Sequence, residues 1–411
     1  MRRMLTVVIV VTGFAALAGA QRPSTDWTQW RGPNRDGVIP SFAAPAQWPD
    51  QLVRRWKVAV GTGYATPIVV GNRIYQFSRF GDNETMTALD AESGRVLWQT
   101  GYPAMFTMQS AAARHGMGPK SMPVFSDGRL FSIGMTGIVT AFDAATGKQV
   151  WQKPGSANVP LYTSHAFSPL VDRGLVIFHV GGHEGGALTA FDVNTGDVKW
   201  SWPGDGPGYG SPVVAELGGT RQLVTNTQAK LVGIAPATGA LLWEQPFASS
   251  NSTNSLTPII AGQLIILSNN VKPTTAFTVA REGDRWTVKT VWENDVSPIG
   301  RLSNAVTSGN LLFGLTSKNA GQYFASDLET GKTVWTSEGR QANNASISRA
   351  GDIFFSLEED GDLVIFKREG TTFALTKRYQ VADSETWGPP AVSGDRIFVK
   401  DLESLTLWTL K

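Results

Sequence analysis

Polar and aromatic residues stand at spaced positions in this 411-residue chain, each in or beside a short segment that ends in a small residue and commonly a proline. The candidates are Tyr64, Lys120, His165, Tyr209, Asn254, Arg301, Asn304, Asn344 and Trp387. Aromatic, cationic and amide groups gathered on one concave surface are typical of a small-molecule binding site. Lys120, His165 and Arg301 would make that surface cationic, which favours an anionic ligand. The alternative is a water-filled channel whose polar groups satisfy one another.

A sequence repeat sets the positions of these residues. Residues 141–151 read Ala-Phe-Asp-Ala-Ala-Thr-Gly-Lys-Gln-Val-Trp, and similar stretches return along most of the chain. Asp143 can accept hydrogen bonds from the amides of a turn, and Gly147 can adopt the positive φ of a tight reversal. Each repeat therefore predicts two strands joined by a hairpin. Aspartates at these tips, such as Asp192 and Asp327, are expected to form turns and not to act as catalytic acids.

An aromatic residue follows each repeat at intervals of 42 to 53 residues. Tyr379 is the last of these residues, and the others are Trp56, Trp98, Trp151, Trp200, Trp243, Trp292 and Trp335. Side chains of this size at the end of a strand are expected to fill the gaps between neighbouring sheets. Repeats of this length are typical of the four-stranded blades of a β-propeller.

The two ends of the chain together supply the eighth blade. After Tyr379 the sequence offers three strands and then stops, whereas the strand around Trp56 has no partner before it. Pairing this strand with the last three would close the ring and remove an exposed sheet edge. We therefore predict an all-β fold over residues 51–411, an eight-bladed β-propeller of four-stranded antiparallel blades closed by an N-terminal strand.

The Ala-Phe-Asp-x-x-Thr-Gly-x-x-x-Trp pattern resembles that of the pyrroloquinoline-quinone-like (PQQ-like, or quinoprotein-type) β-propeller repeat family, including its tryptophan-docking motif. Residues 26–37, Asp-Trp-Thr-Gln-Trp-Arg-Gly-Pro-Asn-Arg-Asp-Gly, are also similar to the start of many exported members. The family includes quinoprotein alcohol dehydrogenases and the scaffold lipoprotein of outer-membrane protein assembly. The resemblance covers residues from about 50 to the end and implies the fold, but one architecture hosts many activities.

Residues 1–20 have the features of a secretory signal peptide. Arg2 and Arg3 precede an apolar run, and small residues end the segment at Ala20. We therefore expect a periplasmic or secreted protein that is cleaved after Ala20. The apolar run is short for a membrane span, so no membrane anchor is expected.

Residues 21–50 carry prolines among polar and aromatic residues and are expected to form an extended lead-in, not a domain. This lead-in contains Trp27 and Trp30. We expect both to pack on the propeller as anchors, because exposed aromatic pairs are uncommon. The alternative is that they form a binding surface.

Composition narrows the classes of partner. The chain has no cysteine, which excludes disulfides and the lipid-bearing cysteine of the assembly scaffold. Lys and Arg number 36 against 34 acids, and removal of residues 1–20 leaves 34 of each. Such a neutral chain lacks the basic footprint of a nucleic-acid-binding protein. We expect a monomer whose partner is a periplasmic protein or a small-molecule ligand.

If the protein uses PQQ, the resemblance implies a site with several required components. A quinoprotein site would bring PQQ, a calcium ion, a catalytic aspartate and commonly two adjacent cysteines. Calcium requires several oxygen ligands with negative charge among them. The segments around the candidate residues contain no acid, and the nearest are Asp383 and Glu385 beside Trp387. PQQ with calcium therefore stays a hypothesis carried by the resemblance.

Two other groups fit roles simpler than metal binding. His179 and His183 are about 13 Å apart in an extended chain, too far to share a metal ion unless a hairpin joins them with Glu184. Residues 358–362, Glu-Glu-Asp-Gly-Asp, are expected to form a hairpin turn. We therefore predict no metal site.

These features favour an exported ligand-binding or protein-binding module, and they identify no catalytic residue. A PQQ-dependent oxidoreductase acting on an alcohol or sugar is the first alternative. A scaffold in outer-membrane protein assembly is the second.

Overall fold

A computed structural model describes residues 24–108, 110–156 and 164–411. The predicted signal peptide, residues 1–20, lies outside the described residues. The described chain contains 32 strands in eight four-stranded antiparallel sheets and no α-helix. Three short 3-10 helices accompany them, Ser110–His115, Ser250–Ser252 and Lys318–Ala320. Within the described ranges, no helix is long and apolar enough to cross a membrane.

Seven blades are built from consecutive strands that run from the channel outwards. The strand β1 (Val53–Ala59) precedes them. Blade 1 contains β2 (Ile68–Val70), β3 (Arg73–Phe80), β4 (Asn83–Asp90) and β5 (Val96–Pro103). Blade 2 contains β6 (Val124–Ser126), β7 (Arg129–Ile133), β8 (Val139–Asp143) and β9 (Gln149–Lys153). Blade 3 contains β10 (Leu170–Asp172), β11 (Leu175–Val180), β12 (Ala187–Asp192) and β13 (Val198–Trp202).

The same order continues around the ring. Blade 4 contains β14 (Val213–Leu217), β15 (Thr220–Asn226), β16 (Lys230–Ile234) and β17 (Leu241–Pro246). Blade 5 contains β18 (Ile259–Ala261), β19 (Leu264–Leu267), β20 (Thr274–Glu282) and β21 (Arg285–Asn294). Blade 6 contains β22 (Ala305–Ser308), β23 (Leu311–Thr316), β24 (Gln322–Asp327) and β25 (Thr333–Thr336). Blade 7 contains β26 (Ala345–Ala350), β27 (Ile353–Glu358), β28 (Asp362–Lys367) and β29 (Ala374–Gln380).

Blade 8 joins the two ends of the chain. Its inner strands are β30 (Ala391–Ser393), β31 (Arg396–Lys400) and β32 (Ser404–Thr409), and β1 is its outermost strand. The antiparallel register runs from Val53 opposite Thr409 to Ala59 opposite Ser404. The predicted fold, with eight blades and closure by the N-terminal strand, is confirmed.

Hydrogen bonds within the repeat form its hairpin turn. In blade 2, Oδ1 of Asp143 accepts hydrogen bonds from the amide and hydroxyl of Thr146, at 2.8 and 2.6 Å. Gly147 follows with φ +75° and donates its amide to the carbonyl of Asp143. The carboxylate thus satisfies the turn, and glycine supplies the left-handed residue that closes it.

The repeat tryptophans connect neighbouring blades. In five cases the indole donates a hydrogen bond of 2.8–3.2 Å to a carbonyl in the hairpin turn of the next blade. These pairs are Trp56 with Ala91, Trp98 with Ala144, Trp151 with Val193, Trp200 with Pro236 and Trp292 with Leu328. Each ring also packs against the glycine of that turn, where a Cβ would lie 2.4–2.8 Å from it.

Two tryptophans depart from this pattern. Trp243 donates instead to Oε1 of Gln222 at 2.5 Å, because in blade 5 the long hairpin between β20 and β21 replaces the aspartate turn. Trp335 packs against the rings of Phe313 and Phe373, each 6.0 Å away. Both tryptophans are buried.

Candidate functional site

The segments before the inner strands form one face of the ring, the approach face. The segments span residues 63–67, 119–123, 164–169, 208–212, 254–258, 301–304, 343–346 and 386–390. Their small hydroxyl residues link successive blades, because Oγ of Ser168 accepts from the amide of Met122 at 3.0 Å and Oγ of Ser211 accepts from the amide of Ser168 at 2.9 Å. Thr257 continues this belt by accepting from the amide of Ser211 at 3.1 Å.

The lead-in occupies the central channel. We call residues 25–39 the channel segment. Asp26 accepts a hydrogen bond from the amide of Gly71, beyond the far end of inner strand β2, and Trp27 pairs through its backbone with Val69. The segment leaves the channel where the amide of Ile39 donates to the carbonyl of Arg349 at 2.7 Å. It therefore enters from the face opposite the approach face and lies across the channel.

Two buried guanidinium groups hold the channel segment in place. Arg35 donates to the carbonyls of Pro212, Pro169 and Ser168 at 2.7, 2.8 and 2.9 Å. Arg31 donates to the carbonyl of Ala305 at 2.5 Å. Burial lowers the pKa of Arg35 to about 9 and that of Arg31 to about 10. Both stay charged at neutral pH and place positive charge inside the ring.

Trp30 of the channel segment forms the floor of a cavity of about 170 Å³ that opens on the approach face. Its indole Nε1 donates to Oγ1 of Thr257 at 2.8 Å. Trp27, in contrast, is fully buried. Trp30 thus both packs on the propeller and lines the cavity, so the two roles considered for it from sequence coincide in one residue.

The structure brings six of the nine candidate residues together around this cavity: Tyr64, Lys120, Tyr209, Arg301, Asn304 and Trp387. On the aromatic side the ring of Trp387 meets Tyr64 edge-on at 6.4 Å and His115 at 5.1 Å. The Trp387 indole also donates to a carboxylate oxygen of Glu385 at 3.2 Å. Burial raises the pKa of Tyr64 to about 12, so its hydroxyl stays protonated.

The polar side of the cavity is cationic and rich in donors. Lys120 is half-buried, and burial lowers the pKa of its amine to about 8. Arg301 is exposed at the rim. No carboxylate lies among the described residues that line the cavity.

Asn304 presents an unused donor at this cavity. Its side chain is 5% exposed, and Oδ1 accepts a hydrogen bond from the amide of Ile347 at 2.6 Å. That bond fixes the orientation of the amide, yet Nδ2 has no partner among the described residues. A buried donor without a partner costs about 1–3 kcal/mol, which a ligand acceptor would recover.

Three candidates are not among the residues that line the cavity. His165 is buried, burial lowers its pKa to about 3, and neither ring nitrogen has a partner within the described chain. Asn254 donates to the carbonyls of Thr227 and Phe247 at 2.9 and 2.7 Å and so fixes loop backbone. Asn344 donates to Glu359 at 2.5 Å, outside the cavity lining.

One acidic group has ligand atoms close enough to hold a metal ion in the described chain: Glu358, Asp360 and Asp362. Arg378 donates to the carboxylates of both Glu358 and Asp362, so the positive charge that a cation would bring is already supplied. Asp360 precedes Gly361, whose φ of +89° places it in the turn between β27 and β28. His179 lies elsewhere, with Nε2 3.0 Å from the carbonyl of Asp205.

The docked tryptophans, the turn repeat and the closed ring of eight blades define a PQQ-like β-propeller. A family model described as outer membrane protein assembly factor BamB matches residues 82–337. This match spans more than half of the chain, and the protein belongs to that family. No curated protein matches the chain significantly.

Solved structures share the fold at low sequence identity. BamB from Moraxella catarrhalis is 15% identical with a TM-score of 0.61, covering 87% of this chain and 97% of that one. Quinohemoprotein alcohol dehydrogenase from Comamonas testosteroni is 16% identical with a TM-score of 0.64, covering 94% of this chain and 80% of that one. The computationally designed Ika8 protein is 13% identical with a TM-score of 0.62, covering 88% and 100%. At these identities the likeness establishes architecture alone.

Proposed function

We propose that this protein is an exported binding module whose approach-face cavity takes a compact anionic ligand, such as a carboxylate carried on a flat ring. The observation that carries the proposal is the lining itself: Tyr64, Trp387 and Trp30 surround it with rings, whereas Lys120 and Arg301 supply charge and no described lining residue is acidic. Rings bind a flat apolar body, and fixed donors orient a polar group.

Electrostatics supports a negatively charged ligand. Arg31 and Arg35 belong to the same channel segment as Trp30, and in the described chain their guanidinium groups donate to carbonyls and an amide oxygen, not to carboxylates. Their charge adds to that of Lys120 and Arg301 in a site with low-dielectric walls, where a positive field is strongest. An anion would also accept a hydrogen bond from Asn304 Nδ2.

Size favours a fragment-sized ligand. The cavity volume of about 170 Å³ lies below the range of roughly 300–1,000 Å³ that is common for drug-sized ligands. A single ring with one acid group suits this space better than a fused tricyclic quinone.

The residues present do not fit a calcium-dependent quinone site. Lys120, Arg301 and Trp387 could meet the carboxylates and rings of PQQ, but a calcium ion needs anionic oxygen ligands. The described lining offers none, and Glu385 is engaged by the Trp387 indole. The lining therefore does not support a calcium-bound quinone in this cavity.

Calorimetric titration of the full chain with benzoate, benzamide and PQQ with and without calcium tests the proposal. We expect benzoate to bind and benzamide, which lacks the charge, to bind at least about tenfold more weakly. Arg301→Ala should weaken benzoate binding, whereas Lys332→Ala, at an exposed hairpin turn, should not. Equal affinity for benzoate and benzamide, or no binding of either by folded protein, would refute an anion site. Tight calcium-dependent PQQ binding would restore the oxidoreductase alternative.

The family match to residues 82–337 supports a second candidate, a protein-docking role in outer-membrane protein assembly. Met105 offers a probe position because it is 82% exposed beside the approach face. A photo-crosslinking residue at position 105 should give an adduct with an outer-membrane assembly protein in cells. Adducts with no protein of that class would count against this role.

A further inference from the structure

Two lysines are largely enclosed by the fold, and their surroundings differ. Nζ of Lys400 donates to three carbonyls, those of Gly63, Asp401 and Leu402, at 2.7–2.9 Å. Its side chain is 5% exposed and secures the ring closure. Three short hydrogen bonds use all three ammonium protons and oppose the burial that lowers the pKa of this amine to about 7, and Lys400 does not line the cavity.

Lys120 is held far less firmly. Its Nζ lies 3.3 Å from the carbonyls of Gly116 and Gly118, both beyond the usual hydrogen-bond length. It has no carboxylate partner within the chain that the structure describes. Its amine lines the cavity beside aromatic walls.

These surroundings raise the uncharged fraction of the Lys120 amine, although at pH 7 most of it stays charged and attracts an anion. Burial alone lowers the pKa of Lys120 to about 8, so near that pH about half of the amines are neutral. Desolvation in an apolar pocket is a known way to make lysine nucleophilic towards carbonyl carbon.

We propose that Lys120 is a covalent site for an aldehyde or ketone ligand bound in the cavity. Nζ adds to the carbonyl carbon, the carbonyl oxygen leaves as water with the two amine protons, and a carbon–nitrogen double bond forms. No oxidant or reductant is required for this step. The proposal rests on the proposed function, because the same ligand carries the anionic group that faces Arg301 and Asn304.

The test uses the full chain, 4-formylbenzoate as the probe and cyanoborohydride to reduce the imine, followed by peptide mapping. We expect labelling of Lys120 at least about tenfold faster than of exposed lysines such as Lys332, because burial lowers the pKa of Lys120 and the cavity would hold the probe beside it. The rate should rise as pH approaches 8, and benzoate should slow it. Lys400 should stay unlabelled.

Variants and calorimetry separate the covalent proposal from the proposed anion site. K120R should abolish selective labelling, because arginine forms no imine, and calorimetry of the unaltered chain with benzoate reports the anion site independently of labelling. If benzoate binds but Lys120 reacts no faster than Lys332, the covalent proposal is overturned and the anion site stands. If benzoate neither binds nor protects, both fail. Benzaldehyde, which lacks the carboxylate, should label Lys120 more slowly than 4-formylbenzoate, and equal rates would contradict the coupling between the two groups.

Discussion

The indole of Trp30 donates a hydrogen bond to the hydroxyl oxygen of Thr257, a residue 227 positions further along the chain, at 2.8 Å. The same oxygen accepts the amide of Ser211 at 3.1 Å. One hydroxyl therefore joins the channel segment to blade 5 and blade 5 to blade 4. The hydrogen bond to the cavity floor and the link between blades 4 and 5 therefore share a single acceptor atom.

Replacing Thr257 with valine should cost more stability than replacing Trp30 with phenylalanine. Thr257→Val keeps the shape but leaves two donors, Trp30 Nε1 and the Ser211 amide, without their acceptor, at about 1–3 kcal/mol for each buried donor. Trp30→Phe removes one of these donors together with part of the ring, so the Ser211 amide keeps its acceptor. Urea unfolding measures the loss of unfolding free energy in both variants. The interpretation fails if Thr257→Val is neutral or if Trp30→Phe is the more damaging change.

Glycine at the docking turns should be required for contact as well as for backbone conformation. Gly239 has φ +73°, and a Cβ there would lie 2.6 Å from the Trp200 ring. Gly219 has the same φ with nothing within 4 Å, which makes it a matched control. Gly219→Ala should cost about 1–2 kcal/mol for the left-handed conformation. Gly239→Ala should cost a further 1–3 kcal/mol or so for overpacking.

Thermal and urea unfolding measure the loss of stability in both glycine variants. Because both carry the same backbone penalty, the difference between them reports the contact of the new Cβ with the Trp200 ring. Equal losses of stability would mean that Trp200 moves aside freely. The same experiment in Trp200→Ala, which should itself cost about 3–5 kcal/mol, should erase the difference between the glycine variants.

The architecture was predictable because its signals are local and periodic. In four repeats the aspartate, glycine and tryptophan lie within eleven residues of one another, and the return of the aromatic residue along the chain counts the blades. In blade 5 a longer hairpin replaces the aspartate turn, and the indole of Trp243 donates to the side chain of Gln222 instead.

The candidate site was predictable only in part. Sequence indicates which segments converge on one face but not which way each side chain points, so it does not show that Asn254 donates to loop carbonyls or that His165 is absent from the cavity lining. His115 and Thr257 also line the cavity and were not among the candidates. Trp30 is held at the cavity floor by its hydrogen bond to Thr257, far along the chain, and the spacing of the repeats does not predict that contact.

Arg35 should be among the most sensitive positions outside the blades. It donates to three carbonyls of blades 3 and 4. Arg35→Met keeps the apolar stem but leaves these acceptors unpaired, at roughly 1–3 kcal/mol for each buried group. Lys332→Ala, at an exposed turn, is the control and should be nearly neutral. Chemical denaturation measures the loss of unfolding free energy. A loss below about 1 kcal/mol would mean that Arg35 does not anchor the channel segment.

The two buried histidines should lower stability as pH drops below about 6.5. Burial lowers the pKa of His165 to about 3 and that of His179 to about 4, so the unfolded chain binds protons that these histidines do not bind in the folded chain. Their contribution to the unfolding free energy therefore rises with pH across this window, by up to about 1.4 kcal/mol per pH unit for each histidine, whereas Glu84 and Glu358, whose pKa values burial raises to about 7, contribute with the opposite sign. His165→Leu should flatten the dependence between pH 6 and 4. An unchanged slope would show that His165 becomes charged without unfolding.

The N-terminal end of the chain supplies both the strand that closes the ring and the tryptophan beneath the cavity. Both contacts reach blades that are synthesised much later, since β1 pairs with β32 and Trp30 with Thr257. During synthesis from the N-terminus, β1 and Trp30 therefore stay without these partners until the later blades have been made. A chain that lacked β32 would lose the partner strand of β1, so a closed ring reports that blade 8 is present.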